Sequence, residues 1–135
     1  MAKTTGMGWT TLSVDDSSGT PQAILNDITN FQFSTPRAVQ DVTGINKSAI
    51  ERLELLADFS ITLNGVFNPA ANQSHDVFKT VPSTSVNRTV TIVGNAKTLP
   101  NETLFTDYQI NRPQDGSLTW SAPGVLADGT VPTWS

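Results

Sequence analysis

From residue 86 onward the chain alternates apolar and polar side chains with a period of two, and few folds other than an antiparallel sheet accommodate that pattern. Val86, Val90 and Ile92 alternate with Asn87, Thr89 and Thr91. Leu104, Thr106, Tyr108 and Ile110 predict one face of a strand, and Phe105, Asp107, Gln109 and Asn111 the other. Leu118, Trp120 and Ala122 face inward against Thr119 and Ser121. Successive side chains of a strand point to opposite faces, so each run reads as a half-buried strand. Gly94-Asn95 and Asp115-Gly116 provide the turns.

The earlier chain adds more strands and two helix signals. Residues 9–14 and 22–34 read as extended, the second broken near Asn26-Asp27, with Phe31 and Phe33 on its buried face. Pro36 ends it, because proline cannot donate to the ladder. A strand over 37–43 closes at Gly44. Ser48 followed by Glu51 is a capping-box spacing, and Ile50, Leu53 and Leu56 follow at helical intervals, so a short helix is predicted over 49–56. Phe59, Ile61 and Leu63 mark the next strand. A second helix is predicted over 74–81, capped by Ser74, with Asp76 in its first turn and Pro82 stopping it. The sum is one domain over 1–135, mostly β: an antiparallel sandwich or barrel of about seven strands with one or two short flanking α-helices.

Composition removes several function classes. Charged residues make up 15% of the chain, against about 25% in typical domains, and the polarity comes from Thr, Ser, Asn and Gln. The net charge of −4 and eight scattered basic residues offer no phosphate-gripping patch. Without cysteine there is no disulfide or thiolate metal site. Residues 1–11 lack the apolar core of a signal peptide, and no apolar run approaches the ~20 residues that span a bilayer. The expectation is therefore a protein made in the cytoplasm, with no membrane anchor.

Candidate chemistry is sparse. His75, beside Asp76, is the lone histidine and reads as a helix surface residue. No nucleophile elbow accompanies it, and Gly6-Met7-Gly8 precedes a strand where a phosphate loop would follow one. Asp15-Asp16 reads as turn chemistry; Glu51, Glu54 and Asp58 read as a solvated helix face. Asn46, Asn72, Asn87 and Asn101 stand in glycosylation-type triplets that the Asn- and Thr-rich composition explains. Trp120 belongs to the core, whereas Trp9 and Trp134 could form a sugar-stacking platform. The sequence thus predicts no catalytic residues, no metal site and no cofactor.

Two groups of residues resemble a known family. One is Asp41-Val-Thr-Gly-Ile-Asn-Lys-Ser-Ala-Ile-Glu-Arg-Leu53, followed by Leu56-Ala-Asp-Phe-Ser-Ile-Thr-Leu-Asn-Gly-Val-Phe-Asn-Pro69. The other is Asp107-Tyr-Gln-Ile-Asn-Arg112, Asp115-Gly-Ser-Leu-Thr-Trp-Ser121 and Ala127-Asp-Gly-Thr-Val-Pro-Thr-Trp134. Together they resemble tail tube (major tail) proteins of long-tailed, non-contractile bacteriophages. The resemblance implies two packed antiparallel sheets with a flanking helix, in a subunit of the virion tail. It also implies hexameric rings, joined through strands into an inner barrel and stacked into a hollow tube. DNA would pass through that tube without specific binding, and tape-measure and tail-end proteins would be partners. Subunit interfaces are expected at Pro36, Arg37, Ile50, Leu53, Leu56 and Trp134, and along the N-terminal arm. Glu102 and Asp107 are expected on a polar strand face lining the lumen. The alternative is a carbohydrate-binding or adhesin-type β-sandwich using Trp9 and Trp134.

Overall fold

A computed structural model describes residues 3–135; Met1 and Ala2, the start of the expected N-terminal arm, lie outside it. The strands in chain order are β1 (Trp9–Asp15), β2 (Pro21–Ala23), β3 (Ile28–Ser34), β4 (Arg37–Asp41), β5 (Arg52–Ala57), β6 (Ser60–Val66), β7 (Arg88–Gly94), β8 (Lys97–Phe105), β9 (Gln109–Asn111) and β10 (Thr119–Leu126). One α-helix, α1 (Ser74–Phe78), lies between β6 and β7. Eight strands form one antiparallel sheet in the order β2-β1-β7-β8-β10-β6-β3, with β9 paired to β10 beside β8. β4 and β5 form a separate hairpin.

The sheet is rolled. Trp9 on β1 meets Phe31 and Phe33 on β3 at centroid distances of 5.7 and 6.1 Å, although those strands stand at opposite ends of the order. Rolling makes two layers, β2-β1-β7-β8 and β9-β10-β6-β3, around one core. Leu12, Val14, Ile61, Leu63, Val90, Ile92, Leu99 and Trp120 fill it from the strands, and Val77 and Phe78 of α1 close one end. Burial alternates strictly along β7, with Val90 and Ile92 inward, as the period-two pattern requires. Gly65 is dictated by close approach: a Cβ there would lie 2.2 Å from the Asp27 carbonyl and 2.8 Å from the Trp120 ring. That vacancy lets the indole lie flat and donate through Nε1 to the Val66 carbonyl at 3.0 Å.

Four expectations need correcting. Residues 49–56 form no helix. Arg52–Ala57 is β5, paired with β4 in the register Val39↔Glu54 and Asp41↔Arg52. The expected capping box does not form, because the Glu51 amide donates to Thr43 Oγ1 at 2.8 Å, across the hairpin. With that helix goes the helical stripe of Glu51, Glu54 and Asp58: Glu54 meets Arg37, and Asp58 accepts from the Phe59 amide. The second helix ends at Phe78, and Ser74 does not cap it. The buried Asp27 carboxylate instead accepts from the Ser74 amide at 3.0 Å and from Asn68 Nδ2 at 2.8 Å, reaching α1 from the turn before β3. Finally, residues 104–110 are not one strand. β8 ends at Phe105, the chain bends through 106–108, and β9 follows, so Phe105 and Tyr108 both face the core while Leu104 is exposed.

Candidate functional site: an assembly interface

Backbone hydrogen bonding defines where this fold is incomplete. β3 pairs only with β6, and β9 only with β10, so each presents one edge without a strand partner. An exposed edge is a row of N–H and C=O groups that another strand can pair with. The β8 edge is treated differently. Beyond its pairing with β10 at Thr103–Phe105, the Ala127 amide bonds the Glu102 carbonyl and Ser135 exchanges two 2.9 Å bonds with Thr98. Residues 127–135 thereby cover that edge. Trp134 lies on Phe33 at 5.9 Å and remains about half exposed.

The second feature is the β4–β5 hairpin. Its base is closed by the Asp58 amide on the Pro36 carbonyl at 2.9 Å, and by the Arg37 guanidinium donating twice to the Leu55 carbonyl. The Arg37–Glu54 pair at 3.6 Å is solvated and adds little. Thr43 accepts from the Glu51 amide and donates to Asp41 Oδ1, stiffening the end of the ladder. No hairpin residue belongs to the core. Ile50, Leu53, Leu55 and Leu56 are exposed, Leu56 at 85%. A two-stranded hairpin with both faces bare is marginal alone, and contiguous apolar exposure of this kind marks an interaction surface.

Of the expected interface residues, Pro36, Arg37 and Leu56 come together around a cleft of about 530 Å³ at the hairpin base. Ile50 and Leu53 lie on the same arm, whereas Trp134 lies on the strap over β8, against Phe33 of β3. Leu55, Val39 and Ile45 add to the arm's exposed apolar set, and Leu55 does not fit the helical spacing that the sequence suggested. Glu102 and Asp107 do not share a strand face. Glu102 points outward from β8 and accepts from Thr89 Oγ1 on β7, whereas Asp107 sits in the bend before β9 and accepts from the Tyr108 amide. Asp15 also contacts Thr89, and burial pushes its carboxyl above the usual range, with the Glu102 charge adding to the shift.

The remaining candidates are structural. Asp16 accepts from the Ser18 and Thr20 amides, and those bonds hold its carboxyl below the usual range, as turn chemistry predicts. His75 Nδ1 lies 3.2 Å from the Tyr108 hydroxyl and its ring is 4.7 Å from Phe67. Trp9 and Trp134 flank a cleft of about 430 Å³ with Lys97 and Asn95. Trp9 is committed to Phe31, Phe33 and Gly94, leaving Trp134 as the more open ring. Among the described residues no group of three or more His, Asp or Glu side chains could hold a metal ion, and no helix is long and apolar enough to cross a membrane.

The rolled antiparallel sheet with a projecting hairpin is a fold shared with solved structures, two of which come from gene transfer agent particles. The chain matches a chain from the virion of a native gene transfer agent (GTA) particle with a TM-score of 0.72 and 14% identity, over 97% of this chain and 99% of that one. It matches a chain from the tail of an empty GTA particle, computed with helical refinement in C6 symmetry, with a TM-score of 0.73 and 17% identity, over 98% of each. The likeness is one of fold, end to end. No family model and no curated protein matches the sequence.

Proposed function

We propose that this chain is a non-enzymatic structural subunit of a virion tail, assembling as stacked hexameric rings into a hollow tube that conducts DNA. The observation that carries the reading is the full-length fold likeness to a tail particle of six-fold symmetry. The unpaired edges of β3 and β9 support it physically. They lie on opposite sides of the β9-β10-β6-β3 layer, so β3 of one copy can pair with β9 of the next. Closed rotation pairs the β3 and β9 edges of every copy, and head-to-tail stacking of rings propagates a filament.

The hairpin supplies the contact to a neighbouring subunit or ring. Burying Ile50, Leu53 and Leu56 there, with Pro36 and Arg37 at its base, offsets the exposure that is unfavourable in the isolated chain. Trp134 and the strap of 127–135 stand beside the Trp9 cleft and form a second contact region. Tape-measure and tail-end proteins would meet the terminal rings, and DNA would pass without specific binding.

Sedimentation and negative-stain microscopy of the purified protein test the proposal. Six-fold rings or tubes are expected. A monomer at every concentration, above all one that binds glycans at Trp134, would replace this reading with the carbohydrate-binding one.

A further inference from the structure

Charge is partitioned between the two layers of the sheet. β3, β6, β9 and β10 contain no charged residue at all. β1, β7 and β8 contain Asp15, Arg88, Lys97 and Glu102. Along the uncharged layer the outward positions are mostly amides and hydroxyls, interrupted by Val66, Pro123 and Val125, and the polar ones line up across strands. Asn30, Asn64, Ser121 and Gln109 are register partners in one row spanning all four strands, and Gln32 stands opposite Thr62 in the next. The first row opens into a cleft of about 370 Å³.

These polar groups are also turned toward one another. Asn64 Nδ2 donates to Asn30 Oδ1 at 2.8 Å, and the Ser34 and Ser60 hydroxyls lie 3.0 Å apart. A donor already engaged has less to offer a passing phosphate. Affinity for nucleic acid comes chiefly from Lys and Arg that release counterions, and this layer has none.

We infer, resting on the tube reading above, that the outward face of β3, β6, β10 and β9 is the wall of the tube that faces DNA, and that it is a neutral wall. It neither grips phosphates nor repels them, so duplex DNA slides past without a stepwise electrostatic barrier. The same layer carries the two unpaired edges, so joining copies through β3 and β9 extends this face into one continuous surface. Glu102, on the outward face of the opposite layer, then lies on the exterior of the tube.

The absence of native cysteine makes the test direct. Thr62→Cys and Gln32→Cys place a thiol on the proposed wall; Thr91→Cys places one outward on β7 of the opposite layer. Each variant is assembled into tubes, then treated with a small maleimide or with a maleimide coupled to streptavidin. Free subunits should react with both reagents at all three positions. In tubes, positions 62 and 32 should keep the small label and lose the streptavidin label, while position 91 keeps both. Streptavidin labelling retained at 62 and 32, or lost at 91, would overturn the wall assignment and leave the tube standing. Failure of the wild-type chain to form rings or tubes would overturn the tube reading itself. Two wall positions guard against one substitution perturbing the fold.

Discussion

Among the described residues Arg88 is the largest fully buried side chain, at 1% exposure, and no carboxylate there lies within ion-pair distance of it. Its guanidinium bonds the Asp15 and Val77 carbonyls at 3.0 and 2.9 Å and Thr80 Oγ1 at 2.7 Å, tying β1, α1 and β7 together. Burial lowers its pKa, and the Asp16 and Asp15 charges oppose that. Replacing it with Met leaves those acceptors unsatisfied, and we expect a loss of about 2–4 kcal/mol in urea unfolding. Lysine should recover only part, since one ammonium cannot reproduce a planar fork. Tyr108 is the sole tyrosine and offers a clean optical probe. Burial first, and the nearby Asp27 carboxylate second, push its phenol from the usual 10 to about 12. Its folded pKa exceeds its unfolded one, so the stability linked to the neutral phenol is complete below pH 10 and lost as pH rises through about 12. Absorbance titration should show a midpoint near 12 in the folded protein and near 10 in denaturant; a folded midpoint near 10 would place Tyr108 in solvent.

Among the elements, the β7–β8 hairpin and the β4–β5 arm answer differently to substitution. Asn95 and Ala96 both have positive φ, 53° and 66°, in the turn that joins β7 to β8. Asparagine tolerates that region and alanine does not, so Ala96→Gly should raise stability by about 1 kcal/mol. The arm lies outside the core, so Leu53→Ser with Leu56→Ser should change monomer stability by less than about 0.5 kcal/mol. The same pair should sharply reduce assembly by sedimentation; unchanged assembly would remove the arm from the interface. The strands over 28–34, 60–66, 88–94 and 119–126 were legible because each buries one face, which writes a period of two into the sequence. The arm was not, because Arg52-Leu53-Glu54-Leu55 alternates with period two while Ile50, Leu53 and Leu56 recur with period three. Only the distant partner strand at 37–41 decides between them. Likewise the bend at 106–108 resets the phase of alternation, so that Phe105 and Tyr108, on opposite faces of one continuous strand, both turn to the core. Ile50, Leu53 and Leu56 were nameable as apolar side chains that the structure leaves exposed, although the element carrying them was misread. Which edges stay unpaired is set by long-range strand order and leaves no local trace.

At the scale of the whole molecule, the main sheet has strand edges without a partner along β2, β3 and β9 among the described residues, and the hairpin arm lies outside the core. The core is continuous from β1 to α1, and the strap of 127–135 seals the β8 edge. In the proposed assembly copies of the same chain would meet at two edges on one uncharged layer, β3 and β9, and at an apolar arm between β3 and β6. In the proposed ring, β3 of one copy hydrogen-bonds β9 of the next. Backbone amide hydrogen exchange, compared between dilute subunits and assembled material, reads this pairing. Fast exchange is expected for the unpaired amides of 28–34 and 109–111 in the dilute chain, with strong protection of both on assembly. Equal exchange in both states, or protection confined to the hairpin, would contradict it.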